Sequence, residues 1–139
     1  MKRQKITLLV CGMALAFVLG IAGLFFAQWR DTDALLQYAE AVFAGDIPVD
    51  EADSTSLRSY NWRGRYDNLG DNPRADFELE RRFVLHNFSD GNIWVRYTIR
   101  VYDSNNELVF GSARVPSLWK IHKTVDGWEV VLVIEEESP

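Results

Sequence analysis

Cysteine is almost missing from this chain: Cys11 is the only one, and it lies inside a long apolar run. No disulfide can brace the region after that run, so its stability must come from packing alone. Acidic residues are equally absent before Asp31, although all twenty follow from there. Histidine occurs only at His86 and His122, and neither begins a metal-ligand spacing. No metal or cofactor is therefore expected. A cleavable lipoprotein signal is excluded too, because Val10 precedes Cys11 where a small residue is needed.

What is present begins with Ile6 to Ala27, which carries no charged side chain. At ~1.5 Å per residue a helix of this length crosses the ~30 Å hydrocarbon layer of a bilayer. Lys2, Arg3 and Lys5 precede it and Trp29 follows, which predicts a cytoplasmic N-terminus and an interfacial tryptophan on the far side. The chain then divides into a short tail at 1–5, a membrane span at 6–27 and an extracytoplasmic domain at 31–139. The competing reading is a cleaved signal peptide, which wants small residues before the cut. Phe25 is too large for that position, and Gly20 and Ala22 are poorly placed. Gly12, Ala16 and Gly20 share one face of the span, the spacing that lets two membrane helices approach closely. They are the candidate residues for self-association.

The exported region holds eleven basic and twenty acidic residues, a balance of −9. That argues against nucleic acid as a partner and against the domain hugging an anionic lipid surface. Its 109 residues after Arg30 suffice for one small domain. Asp31-Thr32-Asp33 suits a helix start, and Gly45 a left-handed stop. Leu35, Ala39, Val42 and Phe43 form the apolar stripe between them. Asp50 to Asp53 reads as a solvated connection, Leu57 to Tyr66 as an irregular strand, and Asp67 to Pro73 as a turn. The oxygen-rich turn lacks EF-hand spacing.

From Asp76 the alternation becomes regular. Phe77, Leu79, Phe83 and Leu85 are expected on one strand face, and Ile93, Val95, Tyr97, Ile99 and Val101 on the next. A three-residue turn at Ser89-Asp90-Gly91, with Gly91 left-handed, pairs Leu85 with Val95, Phe83 with Tyr97, Leu79 with Val101 and Glu80 with Arg100. A third strand from Leu108 is expected to turn Val109, Gly111, Ala113 and Val115 inward, to bend at Pro116 and to continue through Trp119 and Ile121. Asp126-Gly127 closes a last hairpin pairing Ile121 with Leu132 and Trp119 with Ile134.

The expected fold class is α+β, one helix packed on a four-stranded antiparallel meander behind a transmembrane helix. This element order, with Trp119-Lys120-Ile121 and Asp126-Gly127-Trp128-Glu129-Val130 as the closing hairpin, resembles the cystatin-like and NTF2-like folds. An anchor followed by such a domain also resembles the single-pass components of conjugative secretion machines. The NTF2-like resemblance implies a cone in which an Asp, His or Tyr can act, and Tyr97 is the one candidate on the inner face. Both histidines fall on the outer face in this register. That face also collects Trp94, Tyr102, Phe110, Val131 and Val133 among Arg82, Arg96 and Arg100. Either the segment from Asp46 to Ala75 folds back to cover that face or it is a partner interface, which aromatic and Arg side chains together favour, with Trp94, Tyr102, Phe110, Arg96 and Arg100 as the candidate partner-binding residues. The functional expectation is a non-catalytic, membrane-anchored assembly or interaction module of the cell envelope. The alternative is a small-molecule-binding or enzymatic cone, anchored or released.

Overall fold

The computed structural model describes residues 2–47, 56–60, 62–64 and 69–135. The apolar run forms the greater part of α1 (Lys2–Asp31), a helix long and apolar enough to cross a membrane, whose apolar stretch is exposed and meets the sheet where the Phe25 ring approaches Phe83. At Thr32 the backbone leaves helical geometry (φ −101°, ψ 4°), and the Thr32 hydroxyl donates to the Trp29 carbonyl at 3.1 Å. That bond satisfies one of the carbonyls orphaned where α1 stops. The chain restarts as α2 (Asp33–Ala44), which ends at Gly45 in the left-handed region (φ 77°). The Gly45 and Asp46 amides donate to Val42 and Ala41 there, closing the last turn.

Two short 3₁₀ turns follow, Ser56–Tyr60 and Trp62–Gly64, where an irregular strand was expected. The acidic connection at 50–53 lies outside the described residues, as do parts of the expected strand and turn. Leu57, Trp62 and Leu69 are all buried in the core, so this segment contributes packing rather than a strand.

The sheet is an antiparallel meander of β1 (Arg74–His86), β2 (Asp90–Tyr102), β3 (Leu108–Thr124) and β4 (Gly127–Glu135), in that spatial order. Its inner face packs on α2. Phe43 sits at the centre, stacked on Phe77 at 4.2 Å and ringed by Tyr60 at 4.5 Å, Tyr97 at 5.3 Å and Trp119 at 6.4 Å. Burying a side chain of that size contributes ~2–3 kcal/mol, and Ala39 beside it lets α2 lie close. The expected helix stripe and the whole inner face of β2 are buried as the alternation requires.

The register differs from expectation, for identifiable reasons. The first turn is Asn87-Phe88-Ser89, with Phe88 rather than Gly91 at positive φ (67°). The Asn87 side chain stabilises it by accepting from the Ser89 and Asp90 amides at 2.9 and 2.8 Å. Leu79 therefore pairs with Tyr97 and Glu80 with Arg96, a slip of four residues that leaves Phe77 and Leu79 inward. A bulge between Arg81 and Phe83 then adds one residue and reverses the faces. Phe83 and Leu85 point outward, while Val84 and His86 point in. Gly91 is needed for space instead: a Cβ there would lie 2.3 Å from the His86 Cβ.

In β3, Ala113 and Arg114 stand opposite Thr98, with Arg114 at φ 55°. This second bulge turns Val109, Gly111 and Ala113 outward and Phe110 inward, against expectation, while Val115, Trp119 and Ile121 face in as expected. The last hairpin turns on Val125-Asp126, and a further bulge between Lys120 and Ile121 pairs Ile121 with Val130 and Trp119 with Val133. Val133 thus joins the core, and Leu132 and Ile134 face out.

Candidate functional site

Two places gather side chains that the fold alone does not explain: the junction between α1 and the sheet, and the outward sheet face. At the junction, the bulge in β1 aims Arg81 at the break between the helices. Arg81 donates from Nη1 to the Trp29 carbonyl at 2.7 Å and the Thr32 hydroxyl at 2.8 Å. Its Nη2 meets the Asp33 carboxylate at 2.6 Å, and the guanidinium lies 4.1 Å above the Trp29 ring. One planar cation therefore serves the end of α1 and the start of α2 together, a geometry Lys cannot copy.

His86 was expected on the outer face and is instead buried, a direct result of the bulge. Its Nδ1 accepts from the Phe88 amide, which leaves Nε2–H to donate to the Gln28 carbonyl at 3.2 Å. The Gln28 side chain in turn accepts from the His86 amide at 3.0 Å. Asp31 receives Lys123 at 3.0 Å and the Trp128 indole N–H at 2.8 Å. Burial raises the Asp31 carboxyl, but the hydrogen bonds from Lys123 and Trp128 and the nearby charges outweigh it, and the group sits below its ordinary value. The second histidine, His122, is exposed and bonds Asp90 at 2.7 Å, which holds the Asp90 carboxyl low.

Asp31, Lys123 and Trp128 edge an open groove of about 440 Å³ between α2 and the last hairpin. Asp31 and Lys123 satisfy each other there, so neither is held ready as a base or nucleophile. Among the described residues, no three His, Cys, Asp or Glu side chains converge as metal ligands would.

Tyr97, the expected pocket residue, is buried beside the rings of Phe43, Tyr60 and Phe77. Its hydroxyl donates to Glu135 at 2.5 Å, and Tyr60 donates to the same oxygen at 2.6 Å. Burial first, then the bond to Glu135 and its charge, push the Tyr60 hydroxyl far above its ordinary value. Among the described residues, the grooves around Asp31, Glu40 and Trp94 are not lined by Tyr97.

Compared with known protein families, curated proteins and solved structures, the chain matches none. Its surface has to be read on its own chemistry.

The five expected partner-binding residues do not form one patch. Trp94 and Arg96 line a shallow groove of about 230 Å³ with Arg82, Pro116 and Leu118. Arg100 and Tyr102 lie farther along β2, with Tyr102 eight positions from Trp94, or ~26 Å at strand rise. There Arg74 covers the Tyr102 ring at 4.5 Å, and Arg100 stands opposite Asp76. Phe110 faces inward and packs on the core, so it leaves the set. Near Trp94 the expectation instead missed a row. Phe83, Trp94, Leu118 and Ile134 stand in direct register across all four strands, with Leu85 and Leu132 beside them. Phe83, Leu85, Trp94, Leu132 and Ile134 are each 36–47 % exposed. Solvated sheet faces seldom carry such a row. In the span, an added Cβ at Gly12 or Gly20 would meet nothing within 4 Å.

Proposed function

We propose that this protein is a single-pass membrane protein whose extracytoplasmic domain is a non-catalytic interaction or assembly module of the envelope. The carrying observation is the unbroken run of α1 from its apolar stretch into the Arg81, His86 and Lys123 clamps. A domain so joined has no flexible linker, and it presents its surfaces at a fixed height and rotation above the lipid. Lys2, Arg3 and Lys5 before the span support a cytoplasmic N-terminus. Retention of the span is supported by helix through 20–27 and by the Phe25 ring resting on Phe83 at 6.0 Å. A helix followed by a four-stranded meander supports kinship in form with NTF2-like and cystatin-like domains. The core occupied by Phe43 supports a binding surface over an internal pocket. The outward sheet face is that surface, with Trp94 and Arg96 in one half and Arg100 and Tyr102 in the other.

The test is photo-cross-linking in native membranes from a reactive side chain at Arg100. One discrete protein adduct, absent from the Tyr102→Ala variant, is expected. No adduct from Arg100 or Arg96 would remove the interaction reading. A C-terminal tag found in the cytosol or the culture fluid would remove the topology.

A further inference from the structure

The side chains of the sheet meet α1 at two different heights. Inward-facing residues reach its C-terminal end: His86 meets Gln28, Arg81 meets Trp29, and Lys123 with Trp128 meets Asp31. Arg81 goes on to Thr32 and Asp33 beyond it. Phe83 faces outward and meets Phe25 instead, at 6.0 Å between ring centres. At ~1.5 Å per residue, Phe25 lies ~4–12 Å closer to the middle of the apolar stretch than those other contacts. The inner face and α2 therefore point up the helix, away from the stretch that crosses the bilayer. The outer face points down it.

The chemistry of the outer face near α1 agrees. The row Phe83, Trp94, Leu118 and Ile134 starts at the Phe25 contact and runs across the sheet, ~14 Å at the usual strand spacing. Arg82 and Arg96 share the groove with Trp94, and Lys120 stands opposite Leu132 in the neighbouring row. Of the outward acids of β1, Asp76 and Glu78 lie toward the other end of the strand from Phe83, while Glu80 pairs with Arg82 and stands opposite Arg96. Apolar side chains with Trp among them, flanked by Arg and Lys stems, match the boundary between acyl chains and phosphates.

We infer that this half of the outward face rests on the outer leaflet of the membrane that α1 crosses. Phe83, Trp94, Leu118 and Ile134 lie at the acyl boundary, and Arg96 and Lys120 lie against lipid phosphates, with Arg82 held by Glu80 between them. The inference rests on α1 being a retained span, and it assigns the near half of the proposed surface to lipid. The half around Arg100 and Tyr102 is left for a protein.

The test uses the full chain carrying Cys11→Ser, reconstituted in phosphatidylcholine vesicles at high lipid-to-protein ratio. Nitroxide labels are placed singly at Leu118→Cys and Ile134→Cys, at Glu40→Cys on the opposite side of the domain, and at Leu15→Cys inside the span. Circular dichroism first confirms that each labelled variant is folded. Collision with dissolved oxygen against a water-soluble nickel chelate then reads depth. Labels at 118 and 134 should favour oxygen several-fold over the label at 40 and approach the label at 15. If 15 reads as lipid while 118 and 134 read as water, the anchor stands and the face proposal falls. If 118 and 134 are shielded from both reagents, a protein covers the face and the proposal also falls. If 15 itself reads as water, the span reading fails and takes this inference with it.

Discussion

The two faces of one sheet obey different rules in this molecule. On the inner face, Ile93, Val95, Tyr97, Ile99 and Val101 are sealed under α2 around Phe43, and the aromatic rings there touch one another. On the outer face, the row from Phe83 to Ile134 is as apolar, yet each residue stays partly open and the neighbours are arginines. An apolar side chain that holds the fold together is thus distinguishable from one held out for something else. The difference is what lies above it, not its chemistry.

Stability measurements on the detergent-solubilised chain should separate the faces most sharply. Phe43→Ala removes the hub of the inner layer and should cost about 3–5 kcal/mol, read as a lowered urea midpoint. Trp94→Ala, a larger side chain on the outer face, should cost about 1 kcal/mol or less, because little packs on it. Equal losses would mean that the outer row is structural and would erase the comparison.

Next in size is Arg81→Met, expected to cost about 3 kcal/mol, since it strips a charged partner from Asp33 and from the Trp29 carbonyl. Arg81→Lys should recover less than half, because one ammonium cannot serve both helices. The melt of the domain should broaden in these variants while the helicity of the span persists. Gly91→Ala should cost about 1–3 kcal/mol, because its new methyl would meet His86 and the Leu85 carbonyl at 2.6 Å or less.

The smallest effect is with pH. The Asp31 carboxyl is lower in the folded state than its ordinary value, so it favours folding above the ordinary carboxylate range. That contribution falls away as pH drops through the folded value. Asp31→Asn should therefore flatten the acid limb of the stability profile and leave its alkaline limb alone. An unchanged acid limb would show that the Lys123 and Trp128 bonds contribute little.

Periodicity was legible wherever a segment had only one partner to satisfy. The apolar run at 6–27 names its own environment, because no charge interrupts it. The α2 stripe and the inner face of β2 follow from spacing alone, and Gly45 announces the stop it makes. The outer partner set was only partly legible: Trp94 and Arg96 converge, whereas Phe110 is inward and Tyr102 is distant. The slip of the first strand pair traces to the Asn87-Phe88-Ser89 turn, and the reversed faces trace to bulges. One extra residue at Arg82, Arg114 or Val131 reverses every side chain beyond it, and no local pattern marks those positions. His86 illustrates the limit: a polar residue at that spacing reads as outward, and only the approach of Gln28 makes its burial tolerable.

The amino-acid sequence by itself determined the class, the single helix fit to cross a membrane and the acidic region that follows it, because these depend on composition and on periods of two and 3.6. Only the tertiary structure decided which apolar residues became core and which became surface. That choice depends on register, and register is settled by long-range pairing, by the bulges it forces and by the clasp of Arg81 on the two helices.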